Sequence, residues 1–410
     1  MSQCRFCKTA LTNVFLDLGL SPVSNAFIAK EDANKPEVFY PLITYVCDKC
    51  LLVQAIDFES AAHHFHDNYI YFSSFSSDWV AHAKTYAEKM IAERSLDKSS
   101  QVIELASNDG YLLQHFLPHQ IPVLGIEPSR NVAEAAERKG IPSLVKFFTN
   151  PLATELAGQG KKADLIAGNN VLAHVPEIGD FVKGIATLLK PEGCVTLEFP
   201  WLYNMITQNQ FDTIYHEHYS YLSLHAVTKI FEEQGLQIFD VEELVTHGGS
   251  LRIFGKLKTN KKDTVTDRVN QFLQKENSIH LNSLEGYRSF AAKVHEIKFS
   301  LLQFLIEKKR AGKKVAAYGA PAKGNTLLNY CGVGPELISF TVDKSPHKQG
   351  KLLPGTRIPV KDVQAIYEEK PDYILILPWN LKTEIVRQMS EVSAWGCKFV
   401  VPIPRVEQIN

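Results

Sequence analysis

Between residues 100 and 200 the chain alternates short, nearly continuous apolar runs with longer amphipathic stretches. Gln101-Val-Ile-Glu-Leu-Ala106 reads as a buried strand, Ser107-Asn108-Asp109-Gly110 as the turn that closes it, and Tyr111-Leu-Leu-Gln-His-Phe116 as a helical run. Ile121-Pro-Val-Leu-Gly-Ile126 predicts a second strand ending at Glu127-Pro128-Ser129, followed by an alanine- and glutamate-rich helix from Asn131 to Lys139. Ala163–Gly168, running into Asn169-Asn170-Val-Leu-Ala-His174, and Gly193–Phe199 repeat the strand pattern. Strands that alternate with helices imply an α/β domain with a doubly wound sheet, whose ligands sit beyond the carboxyl ends of the strands.

The pattern changes after about Lys261. Phe290, Val294, Ile297, Leu301, Phe304 and Leu305 recur at helical spacing, which predicts amphipathic helices joining two lobes. Val315-Ala-Ala-Tyr318 then enters Gly319-Ala-Pro-Ala-Lys-Gly324 and a further helical run. Leu337–Val342 ends at Asp343, and Tyr373–Leu377 ends at Pro378-Trp379-Asn380. This repeats the order of a Rossmann half: strand, glycine loop, helix, strand, acid. Lys323 at a helix start, with Asn325 beside it, marks a candidate diphosphate site, because a helix N-terminus favours anions. Gly-x-x-x-x-Gly is not the dinucleotide fingerprint, so this lobe is expected to hold the nucleotide end of a substrate rather than NAD(P).

Composition adds exclusions. The 410 residues carry a formal net charge of -1, with 45% hydrophobic and 22% charged residues, which argues against an electrostatic nucleic-acid binder. No apolar run reaches the roughly 20 residues that span a bilayer, and Met1-Ser2-Gln3-Cys4 lacks a signal-peptide profile, so a cytoplasmic protein with reduced cysteines and no membrane partner is expected. Of seven cysteines, Cys4-Arg5-Phe6-Cys7 and Cys47-Asp48-Lys49-Cys50 form two C-x-x-C knuckles, which supply the four thiolates of a closed structural zinc site. A disulfide pair is disfavoured by a reducing compartment, and a rubredoxin-like iron site is the rarer use of the same ligands. So small a segment has little core, and the metal is expected to supply much of its folding energy.

The ends of the predicted strands carry a distinctive set of residues. Glu127 closes the second strand, where a carboxylate accepts hydrogen bonds from both hydroxyls of a ribose. Glu104 lies inside the first strand, a costly place for an acid unless it orients a loop or meets a cationic ligand. The first turn has only one of the three glycines that cradle a pyrophosphate, so an adenosine cofactor without phosphates fits better. Val102-Ile-Glu-Leu-Ala-Ser-Asn-Asp-Gly110, Gly125-Ile-Glu-Pro-Ser129 and Asn169-Asn-Val-Leu-Ala-His174 together resemble the successive cofactor motifs of class I methyltransferases. By that resemblance Glu104, Ser107, Asn108, Asp109, Gly110 and Tyr111 surround the methionine part of S-adenosylmethionine. Glu127, with Pro128 and Ser129, takes the ribose, Phe147 or Phe148 lies by the adenine, and Asn169 and Asn170 line the amino-acid end. The usual G-x-G loop is here Ser107-Asn108-Asp109-Gly110, a departure that leaves the loop contacts to be seen.

Two further segments bear on the reaction. Tyr69-Ile-Tyr-Phe-Ser-Ser-Phe-Ser-Ser77 is rich in hydroxyls and aromatics, and Phe211-Asp-Thr-Ile-Tyr-His-Glu-His-Tyr219 concentrates imidazoles, carboxylates and phenols. Methyl transfer to carbon needs a carbanion equivalent, hence a base beside a carbonyl, and histidine suits that at neutral pH. A metal pair is the weaker reading of His-Glu-His, since H-E-x-x-H is absent.

The N-terminal Cys4 segment, Tyr71-Phe-Ser-Ser, Glu217-His218 and the C-terminal α/β lobe together resemble the sugar C-methyltransferases, which place a methyl branch at C-3 of nucleotide-linked 4-keto-6-deoxy sugars. The resemblance covers essentially the whole chain. It implies His218 as the base, Glu217 as its support, Tyr71 steadying the enolate and Tyr215 against the sugar. His247 and Arg252, in His247-Gly-Gly-Ser-Leu-Arg252, would meet the sugar or its phosphates. The expected architecture is a zinc-binding domain over 1–70, a class I methyltransferase domain over 71–258 and a helical linker with a Rossmann-like substrate domain over 259–410. The expected protein is a monomer with a dTDP- or other NDP-sugar as partner. A methyltransferase acting on oxygen or nitrogen, and a non-enzymatic S-adenosylmethionine sensor, are the rivals.

Overall fold

The computed structural model describes residues 2–58 and 71–409. Three strands open the chain: β1 (Asn13–Ser21), β2 (Tyr40–Val46) and β3 (Val53–Ala55). Helix α1 (Ser77–Arg94) follows, started by Ser76, whose hydroxyl accepts from the Trp79 amide at 3.3 Å, and ended by Ser95 in the left-handed conformation. The central domain then runs β4 (Val102–Leu105), β5 (Val123–Ile126), α2 (Arg130–Arg138), β6 (Ser143–Leu144), α3 (Asn150–Gly158), β7 (Ala163–Asn169), α4 (Ile178–Leu188) and β8 (Leu189–Pro200). Next come α5 (Leu202–Thr207), β9 (Ser220–Tyr221), α6 (Leu224–Glu233), β10 (Leu236–Leu244) and β11 (Ser250–Leu257).

The central sheet has the order β10-β11-β8-β7-β4-β5-β6, parallel except for β11, which is antiparallel to both neighbours. The order reverses between β4 and β7, which opens a crevice at the carboxyl ends of these strands. Alternate residues of each central strand serve opposite faces. Ile103, Leu105 and Ile166 pack with α3, α4 and α6, whereas Val102, Leu165 and Ala167 pack with α1. Burial on both faces explains why these strands read as unbroken apolar runs. The predicted run Tyr111–Phe116 is no α-helix. Two 3-10 turns, Leu113–His115 and Leu117–His119, fill that crossover, because Pro118 cannot donate in a helix interior.

Two long helices, α7 (Asp267–Asn277) and α8 (Phe290–Arg310), lead to the last lobe. Phe290, Val294, Ile297, Leu301 and Leu305 of α8 are buried, and Phe304 packs partly buried beside them. The lobe comprises β12 (Val315–Tyr318), α9 (Ala322–Cys331), β13 (Thr341–Val342), β14 (Val360–Lys361), β15 (Tyr373–Ile376), β16 (Lys398–Val401) and β17 (Glu407–Ile409). Its strand order, β14-β13-β12-β15-β16-β17, is Rossmann-like, with only β17 antiparallel. Of the expected strand Leu337–Val342 only the last two residues pair. The N-terminal sheet, β1-β2-β3-β9, is completed by a strand from the middle of the chain, so β9 fixes the segment just before it, residues 211–219, against the first domain. Among the described residues no helix is long and apolar enough to cross a membrane.

Candidate active site

A cavity of about 680 Å³ opens at the carboxyl ends of β4, β5 and β7. It collects residues from every part of the chain: Asn25, Tyr71 and Trp79, then Asn108, Tyr111, Glu127, Pro128 and Phe147, then Asn169 and Asn170. Tyr215, Glu217, His218 and His247 come from two later loops, and Lys323 and Lys348 from the last lobe. Tyr69 and Ile70 lie outside the described residues.

The loop after β4 is built around Asn108, which adopts φ +48° where a glycine would be at ease. Its amide reaches across to the segment before α1: Nδ2 donates to the Tyr71 carbonyl at 3.1 Å and Oδ1 accepts from the Ser73 amide at 2.9 Å. Ser74 donates to Asp109, whose other partner is Lys139 at 3.4 Å. Replacing the common glycine with Ser-Asn-Asp therefore ties Tyr71, itself half exposed, to the cofactor loop. Gly110, at φ +76°, serves packing instead, since a Cβ there would come within 2.3 Å of Ile141.

Glu127 is buried, and its two oxygens accept from the Asn108 amide at 3.0 Å and the Ser129 amide at 2.8 Å. Burial raises its pKa, against those hydrogen bonds. Glu104 is fully buried and does not line the cavity. Both its oxygens are buried without a hydrogen-bond partner, and burial pushes its pKa well above the carboxylate range, with the nearby Tyr111 phenol opposing. The Asp109 Oδ1, Ser107 and Ser129 hydroxyls and Asn170 Oδ1 are likewise buried and unpartnered. Of these only Asn170 lines the cavity, with Asn108, Tyr111, Glu127, Pro128 and Asn169, whereas Glu104, Ser107, Asp109, Gly110 and Ser129 lie outside its lining. The acid that closes β5 and the unpartnered Asn170 Oδ1 are what fit an adenosine ligand with a cationic amino-acid tail. Asn169 donates to the Tyr111 phenol at 3.2 Å, and Phe147 and Phe148 close the far side. Glu127→Ala is expected to weaken S-adenosylmethionine binding by about 1.5–3 kcal/mol, the range for hydrogen bonds to a charged group. Titration calorimetry with unchanged affinity would move the cofactor elsewhere.

His218 is buried and lines the same cavity. Its Nδ1 donates to the Thr213 carbonyl at 2.9 Å, which fixes the tautomer and leaves Nε2 an acceptor, 2.7 Å from the Tyr215 hydroxyl. His174, whose Nδ1 donates to the Glu217 carbonyl at 2.8 Å, meets the His218 ring edge-on at 4.6 Å. Burial, and then His174, holds the His218 pKa well below the usual histidine value, so the ring is neutral. The Glu217 carboxyl accepts from Asn25 at 2.7 Å and, through burial, is raised to about 7. It is the Thr213 carbonyl, not this carboxyl, that orients the His218 ring.

His247, at φ +55°, heads the turn between β10 and β11, and burial lowers its pKa to about 4. Two residues expected near substrate do not line the cavity. Arg252 pairs with Glu198 at 2.8 Å and lies over the Tyr86 ring. Burial works against Glu198, but His82 and Arg252 bring its pKa down to about 2. Asn325 donates to the Ser24 carbonyl at 2.6 Å. Trp79, Asn25, His174 and Lys348 were not read as site residues. Only His174, inside the Asn169–His174 motif, had a sequence feature to mark it.

In the N-terminal segment Cys4, Cys7, Cys47 and Cys50 place their sulfurs within 4.8 Å of one another, with Cys4–Cys50 at 3.5 Å and Cys7–Cys47 at 3.4 Å. These separations suit the edges of a thiolate tetrahedron around zinc.

A seven-stranded sheet in this order, an acid closing its second strand and a cavity at the topological switch define a class I, S-adenosylmethionine-dependent methyltransferase. Family profiles agree: a zinc binding domain matches residues 4–65, a methyltransferase domain 79–241 and a C-methyltransferase C-terminal domain 245–404. The chain belongs to the C-methyltransferase family that includes NovU of Streptomyces niveus, with which it is 32% identical over 413 residues, covering 100% of this chain and 97% of that protein. A ubiquinone biosynthesis O-methyltransferase of Bartonella bacilliformis is 25% identical over 105 residues, 25% of this chain and 42% of its own. Magnesium protoporphyrin IX methyltransferase from Synechocystis PCC 6803 is 16% identical with a TM-score of 0.35, over 43% of this chain and 82% of that one.

Proposed function

We propose that the enzyme methylates C-3 of a nucleotide-linked 4-keto-deoxy sugar, carried on dTDP or another nucleoside diphosphate, with His218 taking the C-3 proton. The observation that carries this reading is a neutral histidine of fixed tautomer lining the same cavity as Glu127 and Asn169. Its accepting Nε2 is held by the Tyr215 hydroxyl, which has to turn aside for the substrate C–H. Transfer to oxygen or nitrogen needs no enolising base, so a requirement for the 4-keto group separates the readings. S-adenosylmethionine, when bound, supplies an electrophilic methyl on a sulfonium.

The protein's own contribution is alignment and proton handling. Tyr215 marks the position at His218 Nε2 that the C–H bond must reach. Asn108 and the Ser73 amide fix the backbone of Tyr71, so its phenol can steady the sugar from the cofactor side. His247, Lys323 and Lys348, the last two from the last lobe, line the same cavity, which supports a substrate that reaches from the His218 loop to that lobe. Mass spectrometry of a panel of 4-keto nucleotide sugars incubated with enzyme and labelled methyl donor tests the reading. Label is expected on carbon, only where a 4-keto group is present. Label on a hydroxyl or amine, or methylation of the 4-hydroxy analogues, would replace it with the O- or N-transfer reading.

A further inference from the structure

We propose that Lys323 is a catalytic residue, its ammonium donating to the 4-oxygen of the sugar as that atom becomes an enolate, rather than a ligand for the diphosphate. The inference rests on the enolate reading above. Its basis is where the last lobe puts this side chain. Lys323 Nζ donates to Asn380 Oδ1 at 2.9 Å and lies 4.6 Å over the Trp379 ring. The Trp379 indole in turn donates to the buried Asp212 at 2.7 Å, three residues before Tyr215. The same indole packs on Gly248, next to His247, so closely that a Cβ there would fall 2.5 Å from it.

One turn further along α9, the Thr326 hydroxyl donates to the Ile214 carbonyl at 2.8 Å. The first turn of α9 is thereby stitched to the loop that carries the base, and Lys323 faces the cavity between that loop and the His247 turn. Lys323 lies close enough for its charge to be felt, after burial, at His247 and Asp212 and more weakly at His218, while burial lowers its own pKa against the pull of Asp212. Lys348 has a different setting. It sits beside the Ala320 carbonyl at 3.0 Å and Asp343 at 3.4 Å, in the loop region of β12 and β13 that a nucleotide would meet.

Chemistry requires a group of this kind. When the C-3–H bond breaks, the proton goes to His218 Nε2, the bonding pair forms the C-3–C-4 double bond, and the carbonyl pair moves onto O-4. A neutral base with a depressed pKa cannot drive that step unless the charge on O-4 is met by a donor already in place. Lys323 is held in place by Asn380 and Trp379 at the cavity wall, so the donor is positioned before the charge develops.

The test is exchange of the C-3 hydrogen for deuterium in heavy water, with a dTDP-linked 4-keto-6-deoxy sugar and no methyl donor. Lys323→Met should slow exchange about 100- to 1,000-fold, the usual loss for one oxyanion donor. Affinity for dTDP itself, read by calorimetry, should stay within about twofold if Lys323 makes no phosphate contact. Lys323→Arg, which keeps charge at a different reach, should recover part of the rate. If Lys323→Met does not fold, Asn380→Ala serves, since it leaves the ammonium but removes its anchor, and exchange should still slow. Exchange at the wild-type rate in these variants, or a loss of dTDP affinity that accounts for the whole effect, would overturn the role. A wild-type enzyme that exchanges no 4-keto sugar would instead overturn the enolate reading itself, and this assignment with it.

Discussion

Replacing His218 with asparagine or alanine is expected to cut methyl transfer and solvent exchange at C-3 together and steeply while both ligands still bind. Losing a positioned base costs about 100- to 10,000-fold in rate, so residual turnover is compatible with the role. The pH profile supplies a second readout. The active form is the unprotonated ring, so the rate falls as pH drops through the His218 pKa. Burial and His174 depress that pKa well below the ordinary 6.5, which places this acid limb at lower pH than an exposed histidine would give. An inflection near 7 would belong to Glu217, which is raised to about 7 and ionises above it, and it should vanish in Glu217→Gln. His216 is the internal control. Its Nε2 faces the Pro41 carbonyl at 3.3 Å and its ring meets Tyr40, against the N-terminal sheet, so His216→Ala should be much milder. If His218→Ala keeps full exchange and only methylation falls, the histidine positions the donor and Tyr71 becomes the candidate base.

The two sites differ in how far the sequence exposed them, and the reason is locality. β4, β5, β7 and β8 were readable because a parallel strand buried on both faces needs an unbroken apolar run. β6, β13 and β14 have two residues each, too few to carry any period. The helical period of Tyr111–Phe116 was real, but Pro118 held the segment to 3-10 turns. Residues at strand ends, such as Glu127 and Asn169, could be placed in a cavity because the sheet dictates where its ends point. Trp79 could not, since it reaches the cavity from the first turn of α1 by stacking on Tyr111 at 5.8 Å and meeting His247 edge-on at 5.1 Å. Nor could Asn25, which arrives only because β9 completes the N-terminal sheet and brings Glu217 to it. Arg252 shows the opposite limit: a basic residue after paired glycines looked like a phosphate ligand, yet its charge is spent on Glu198 inside the fold.

Replacing Cys47 with serine is expected to release the metal, lower the melting temperature and reduce solubility more than it alters the chemistry of the remaining folded enzyme. Freshly purified, reduced wild-type protein should carry about one zinc per chain. A closed four-thiolate site contributes on the order of 10–16 kcal/mol in small zinc domains, because the unfolded chain has no preformed site. Here the loss would not stay local. Cys4, Cys47, Cys50 and Leu52 belong to the same buried cluster as Leu172, Ile178 and Leu224 of the central domain. Arg5, inside the first knuckle, donates to the Ala55 carbonyl at 2.7 Å and to the Pro176 carbonyl at 3.0 Å, and Pro176 lines the active-site cavity. Metal loss should therefore loosen that wall, while the Glu127 end, framed by β4 and β5, keeps its affinity for S-adenosylmethionine. Elemental analysis, thermal melts and calorimetry on the full-length variant separate these effects. A metal-free wild-type protein, or a Cys47→Ser protein melting like the wild type, would show that the four cysteines do not hold the fold together through a metal.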